Sequence, residues 1–132
     1  MAYDTYLAER IRQYFTEQQL NFFEKKMMGG LVFMLNDKMC CGIHFDKKRN
    51  CDLLMARVGE EAAPSLMSHE GCHPMEFTGR PMKGYVSIDP NGFDLEEDLV
   101  FWINHCIAFN PKAKIAKKRK KNESTPYPFQ LN

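Results

Sequence analysis

The chain opens on a polar stretch in which Leu7, Ile11, Tyr14 and Phe15 recur at helical spacing, with Asp4 placed to cap the first turn. This predicts a helix to about Gln19. The pattern changes at Gly29-Gly30. "LVFML" (31–35), "KMCCGIHF" (38–45) and "DLLMARV" (52–58) then read as strands, the first two joined by a hairpin at Asn36-Asp37, residues that tolerate left-handed dihedrals. "EEAAPSLMSHEG" after Gly59 reads as a short helix, compatible with Pro64 only if that residue lies in the first turn. "MEF" (75–77) and "GYVSID" (84–89) are two further short strands joined through "TGRPMKG", and Pro90-Asn91-Gly92 reads as a turn. Asp94-Leu95-Glu96-Glu97 has the form of a capping box, followed by Leu95, Leu99, Trp102, Cys106 and Phe109 on one helical stripe.

The predicted order is α-β(3)-α-β(2)-α. Hairpin connections make the sheet mostly antiparallel with helices packed on it, a two-layer α+β domain. The 132 residues suffice for one core, and 44% apolar with 27% charged residues is the balance of an ordinary folded chain. No apolar run reaches the eighteen or so residues of a membrane span, and the N-terminus has no basic-then-apolar leader, so a cytoplasmic location is expected, with no membrane partner. Five cysteines, odd in number and set mostly in apolar runs, suit reduced core thiols.

The net charge of +1 conceals an asymmetry. Residues 112–132 hold seven of the 18 Lys/Arg and one of the 17 Asp/Glu, leaving 11 against 16 in residues 1–111. The expected organisation is an acidic domain over 1–111 and a basic tail over 112–132. Within that tail Lys117, Lys118, Arg119, Lys120 and Lys121 could neutralise phosphates and give weak, salt-sensitive, non-specific nucleic-acid contact. No aromatic side chain interleaves the run to stack on bases, and a solvated terminus is the simpler account.

The remaining chemistry is sparse. Cys40, Cys41, His44, Cys51, Cys72 and His73 suggest scattered ligands. On a regular strand Cys41 and His44 face opposite sides, while Cys40 and His44 share a side about 13 Å apart, so neither pair can hold one ion; no metal and no cofactor is expected. A thiol nucleophile would need an exposed cysteine beside a base and a positive field, which nothing adjacent in sequence supplies, and Cys106 lies on an apolar stripe beside His105, a boundary residue. Asp94, Glu96, Glu97 and Asp98 are accounted for by the amides and dipole at a helix start. "TGRPMKG" matches neither a Walker loop nor a dinucleotide fingerprint. Its cations Arg80 and Lys83, framed by Gly79, Pro81, Met82 and Gly84, could still present a fork and a point charge to a carboxylate or phosphate, with Arg57, Gly29 and Gly30 as accessory positions. The plainer alternative is a turn shaped by Pro81 and the glycines, its cations solvated.

Four blocks, "KKMMGGLVFMLNDKMCCGI", "LLMARVG", "MEFTGRPMKGYVSID" and "LEEDLVFWINHCIAF", together resemble the N-terminal domain of the TfoX/Sxy family of bacterial competence regulators over residues 1–110. Met28 stands where the family usually has Phe, and Tyr85 where Trp is common. The resemblance implies a compact domain related to secretion-chaperone-like architecture, with no established catalytic residues. It also implies a regulatory or protein-interaction role with a protein partner or, as such sheets often dimerise, a second copy. The family's full-length regulators carry a second domain, whereas only the basic tail follows residue 111, so competence regulation does not transfer directly. Two alternatives stay open: a small-anion binder or small enzyme with a pocket at Arg57, Arg80 and Lys83, and a nucleic-acid accessory protein acting through the tail.

Overall fold

A computed structural model describes residues 3–27 and 29–113. Helix α1 (Thr5–Glu17) begins where Asp4 accepts a hydrogen bond from the Tyr6 backbone N–H, and it buries Leu7, Ala8, Ile11 and Phe15. Strands β1 (Phe22–Met27), β2 (Gly30–Leu35), β3 (Lys38–Asp46) and β4 (Cys51–Arg57) follow, then the one-turn helix α2 (Ala63–Leu66). Strands β5 (Cys72–Phe77) and β6 (Arg80–Ile88), a single turn α3 (Pro90–Phe93) and helix α4 (Glu96–Phe109) complete the order, with a 3-10 turn at Asn110–Lys112. The sheet is antiparallel throughout, in the order β1-β2-β3-β4-β6-β5. This is the α+β class expected from the sequence.

The differences from the expected elements are local. Strand β1 was not foreseen: "FFEKKM" alternates half-buried and exposed positions at a sheet edge, where charges protect an unpaired backbone. Its inward positions are held by packing that the strand itself does not encode. Phe22 meets Phe15 and Phe33 edge to face or tilted, and Glu24 takes a two-pronged hydrogen bond from Arg12 of α1. Residues 90–93 form a helical turn capped by Asp89, and the N-cap of α4 is Leu95, without a side-chain cap, so Asp94-Glu97 is no capping box. The acidic first turn of Glu96, Glu97 and Asp98 is retained.

Among the described residues α1, α2, α3 and α4 bury against one face of the sheet, where Phe15, Phe33, Leu54, Val86, Ile88, Leu99, Trp102 and Ile103 form the main core. Trp102 donates its indole N–H to the Gly92 carbonyl at 3.0 Å, fastening α4 to α3. The opposite face carries a smaller cluster of Val32, Met55 and Met75, fringed by Met27, Met34, Met39, Met82 and Tyr85. Among the described residues six methionines therefore lie on that face.

A bulge breaks the β2–β3 register between Phe33 and Met34, leaving Cys40 as the extra residue of β3. Both Cys40 and Cys41 consequently join the main core. This corrects the strict alternation assumed for β3: Cys40 lies on the helix-covered face and does not share a side with His44, which borders the opposite face.

Candidate functional site

The stretch "TGRPMKG" is not one turn. The hairpin between β5 and β6 turns on Thr78 and Gly79, with φ of 52° and 80°, and β6 already begins at Arg80. Strand β4 ends opposite Tyr85, so residues 80–84 run beyond it with only β5 alongside, which is why Pro81 is tolerated in a strand. Pairing passes from Pro74↔Val86 to Glu76↔Pro81, two residues forward on β5 against five back on β6. The surplus forms an arch at Met82–Tyr85. Gly84 adopts φ of 82°, a conformation that favours glycine, and its carbonyl accepts from the N–H groups of both Val58 and Gly59 at 2.9 Å.

That double hydrogen bond leans the arch on the segment leaving β4, where Arg57 is fixed by stacking. Its guanidinium carbon lies 5.4 Å from the Tyr85 ring centre and 5.9 Å from that of Phe109, and it donates to the Met39 carbonyl at 3.3 Å. Burial pushes the Tyr85 phenol above its ordinary pKa, with Arg57 opposing. Between the arch, the β4–α2 segment and the end of α4 is a cavity of about 560 Å³ lined by Arg57, Glu60, Lys83, Tyr85, His105 and Phe109, with Lys112 also on its wall. A second, shallower cleft of about 280 Å³ adjoins it, lined by Pro64, Met67, Pro74, Pro81, Met82 and Tyr85. Glu60, Lys83, Gly84 and Tyr85 belong to both.

The sequence candidates therefore separate. Arg57 and Lys83 come together, and Pro81, Met82 and Gly84 border the same pair of clefts. Arg80 is exposed and lines neither, which corrects the three-cation pocket at Arg57, Arg80 and Lys83. Gly79 lies at the hairpin tip, Gly29 turns between β1 and β2 at φ of 75°, and Gly30 opens β2. Lys117, Lys118, Arg119, Lys120 and Lys121 lie outside the described residues. His105, Phe109, Lys112, Glu60, Pro64 and Met67 were not recognised as site residues. Phe109 stood on the α4 stripe, but nothing in sequence tied that stripe to Arg57.

In the main core the thiols of Cys40, Cys41 and Cys106 meet. Donation from Cys106 and Cys41, with the nearby Arg57 charge, lowers the Cys40 thiol against the opposing effect of burial. Cys41 is pushed up by its bond to Cys40 and by burial, and Cys106 by burial first. The positive group absent from the local sequence thus arrives across the β3–β4 pairing, where Cys41 faces Ala56. All three thiols are buried, within the core rather than on the cavity wall.

The fold and these blocks define a class. The TfoX N-terminal domain model matches residues 16–110, and the chain belongs to that family. A crystal structure of a Pseudomonas syringae protein is similar at a TM-score of 0.52 with 16% identity, covering 72% of this chain and 93% of that one, a likeness of fold. A search of curated proteins finds no match. Among the described residues no helix is long and apolar enough to cross a membrane.

Proposed function

We propose that this domain is a non-enzymatic, cytoplasmic protein-interaction module that takes a short acidic segment of a partner across the β6 arch. The observation that carries the reading is the shared wall Lys83-Gly84-Tyr85. On one side lies a cleft with Arg57, Lys83, Lys112 and aromatic rings, and on the other a cleft of proline and methionine side chains. An extended segment with a carboxylate followed by an apolar or proline residue would engage both, the carboxylate against the Lys83 ammonium and the stacked Arg57, the apolar residue against Pro64 and Met67. Glu60 and Glu61 moderate the charge and disfavour strongly anionic ligands in general. A regulatory role of the kind the family name suggests would be exercised through such a contact.

The experiment is affinity capture of the full chain from its own cells, comparing wild type, Lys83→Glu, and Arg80→Ala. The expected result is a partner lost by Lys83→Glu and kept by Arg80→Ala at equal thermal stability. Retention of the same partner by Lys83→Glu would overturn the reading, as would its loss with Arg80→Ala alone.

A further inference from the structure

The opposite face of the sheet holds a second pair of hollows, which meets the smaller arch cleft at Pro74 and Met75. The smaller, about 110 Å³, lies among Met27, Val32, Met55 and Met75, with Gly42 contributing no side chain. At the ~30 Å³ that a water molecule occupies in the liquid, it has room for about four heavy atoms. The wider, about 660 Å³, shares His44, Met75 and Glu76 with it, so the two form one trough, apolar at one end and polar at the other.

The polar end is built from three directions. Lys47, Lys48 and Arg49 stand in the β3–β4 loop at its wall. Asp46 occupies Arg49, accepting its backbone N–H at 3.0 Å and lying 3.9 Å from its guanidinium, while Lys47 and Lys48 have no ion-pair partner among the described residues. Ser87 also lines the wider hollow, is 5% exposed, and its buried Oγ has no hydrogen-bond partner among the described residues. His73 lies directly across from Ser87 on β5, its Nε2 held 2.8 Å from Asp89 Oδ2. A buried hydroxyl without a partner is destabilising, and a ligand that supplies the acceptor relieves that cost.

We infer that this trough binds a small phosphate monoester carrying a short unbranched alkyl group. The phosphate lies under Lys47 and Lys48 and accepts from Ser87, and the alkyl chain enters the methionine-lined hollow. A phosphate suits the wall because its several acceptor oxygens match donors arriving from the loop and from β6 together. The thioethers suit the tail because methionine moulds to irregular apolar shapes. Glu76, which lines both hollows, disfavours a second anionic group.

The test is titration calorimetry on the full chain with butyl phosphate, inorganic phosphate and butanol. Butyl phosphate should bind at least tenfold more tightly than either fragment. Lys47→Glu/Lys48→Glu, confined to an exposed loop, should weaken it at least tenfold, and Ser87→Ala several-fold with unaltered thermal stability or better. Equal binding of inorganic and butyl phosphate, undiminished binding by the lysine variant, or no butyl phosphate binding up to millimolar concentrations would each overturn the inference. Binding by Ser87→Ala equal to wild type would remove that hydroxyl from the site.

Discussion

Replacing Asn110 by alanine should cut the joint between the end of α4 and the β2–β3 hairpin. Asn110 is 2% exposed; its Nδ2 donates to the Leu35 carbonyl at 3.0 Å and its Oδ1 accepts from Asn36 Nδ2 at 2.8 Å. Its own carbonyl accepts from Lys38 Nζ at 3.0 Å, a bond that alanine leaves in place. A lost neutral hydrogen bond costs about 0.5–1.5 kcal/mol and a buried group left without its partner about 1–3 kcal/mol. Asn36 is exposed and can turn to water, so its loss lies at the low end, whereas Leu35 is 4% exposed and water replaces its lost partner poorly. Together the expected destabilisation is about 2–4 kcal/mol, a fall in Tm on the order of 10 °C for a domain of this size. Equilibrium urea unfolding should show a lower midpoint at unchanged m-value. Asn110→Asp keeps the volume and one acceptor but sets a carboxylate against the Leu35 carbonyl. It should lose at least as much at pH 7 and recover part at pH 4, once protonation restores a donor. A change below about 0.5 kcal/mol for alanine, or wild-type behaviour of aspartate at pH 7, would refute the assignment of this amide as a structural joint.

Two further outcomes follow from the same reasoning. Burial raises the Cys72 thiol from 9.0 to about 11, so the folded chain binds that proton more tightly than the unfolded one; the stabilisation is whole below pH 9 and is lost as pH rises to 11. Cys72→Ala should therefore show a shallower alkaline loss of stability than wild type by denaturant titration at pH 8–11, and superimposable profiles would contradict this. Gly59 has φ of 93°, and a Cβ there would lie 2.6 Å from the Phe109 ring. Gly59→Ala should cost about 2–5 kcal/mol in thermal or chemical unfolding through backbone strain and overpacking, and a variant as stable as wild type would contradict both the strain and the clash.

The elements with strong periodicity were legible from the residues alone. Leu7, Ile11 and Phe15 announced α1, and the apolar runs ending in Leu35, Phe45 and Val58 announced the central sheet. What the pattern concealed was set by tertiary pairing. Strand β1 carries Glu24, Lys25 and Lys26, polar enough to read as a loop until Arg12 and the Phe15-Phe22-Phe33 cluster engage its inward side. The bulge at Cys40 is invisible to alternation, because only the register of β2 reveals that one residue is surplus. At the site, Arg57 and Lys83 could be singled out as cations in suggestive contexts. Their meeting depends on the Arg57↔Tyr85 pairing and on Phe109 from α4, contacts that span 28 and 52 positions of the chain. Arg80, three positions before Lys83, was indistinguishable from it in sequence, and only the arch divides them.

The arch at Met82–Tyr85 also gives the two clefts a wall in common. A group seated against Tyr85 in the larger cavity sets the position of a wall that the smaller cleft also uses, and the two N–H donors on the Gly84 carbonyl transmit any displacement to the segment before α2. Whatever free energy links the occupants is the same in either direction. On the proposed reading, a residue that shifts this wall from one cleft changes the other cleft's hold on its neighbour by the factor it receives in return, and specificity would belong to the pair of adjacent residues.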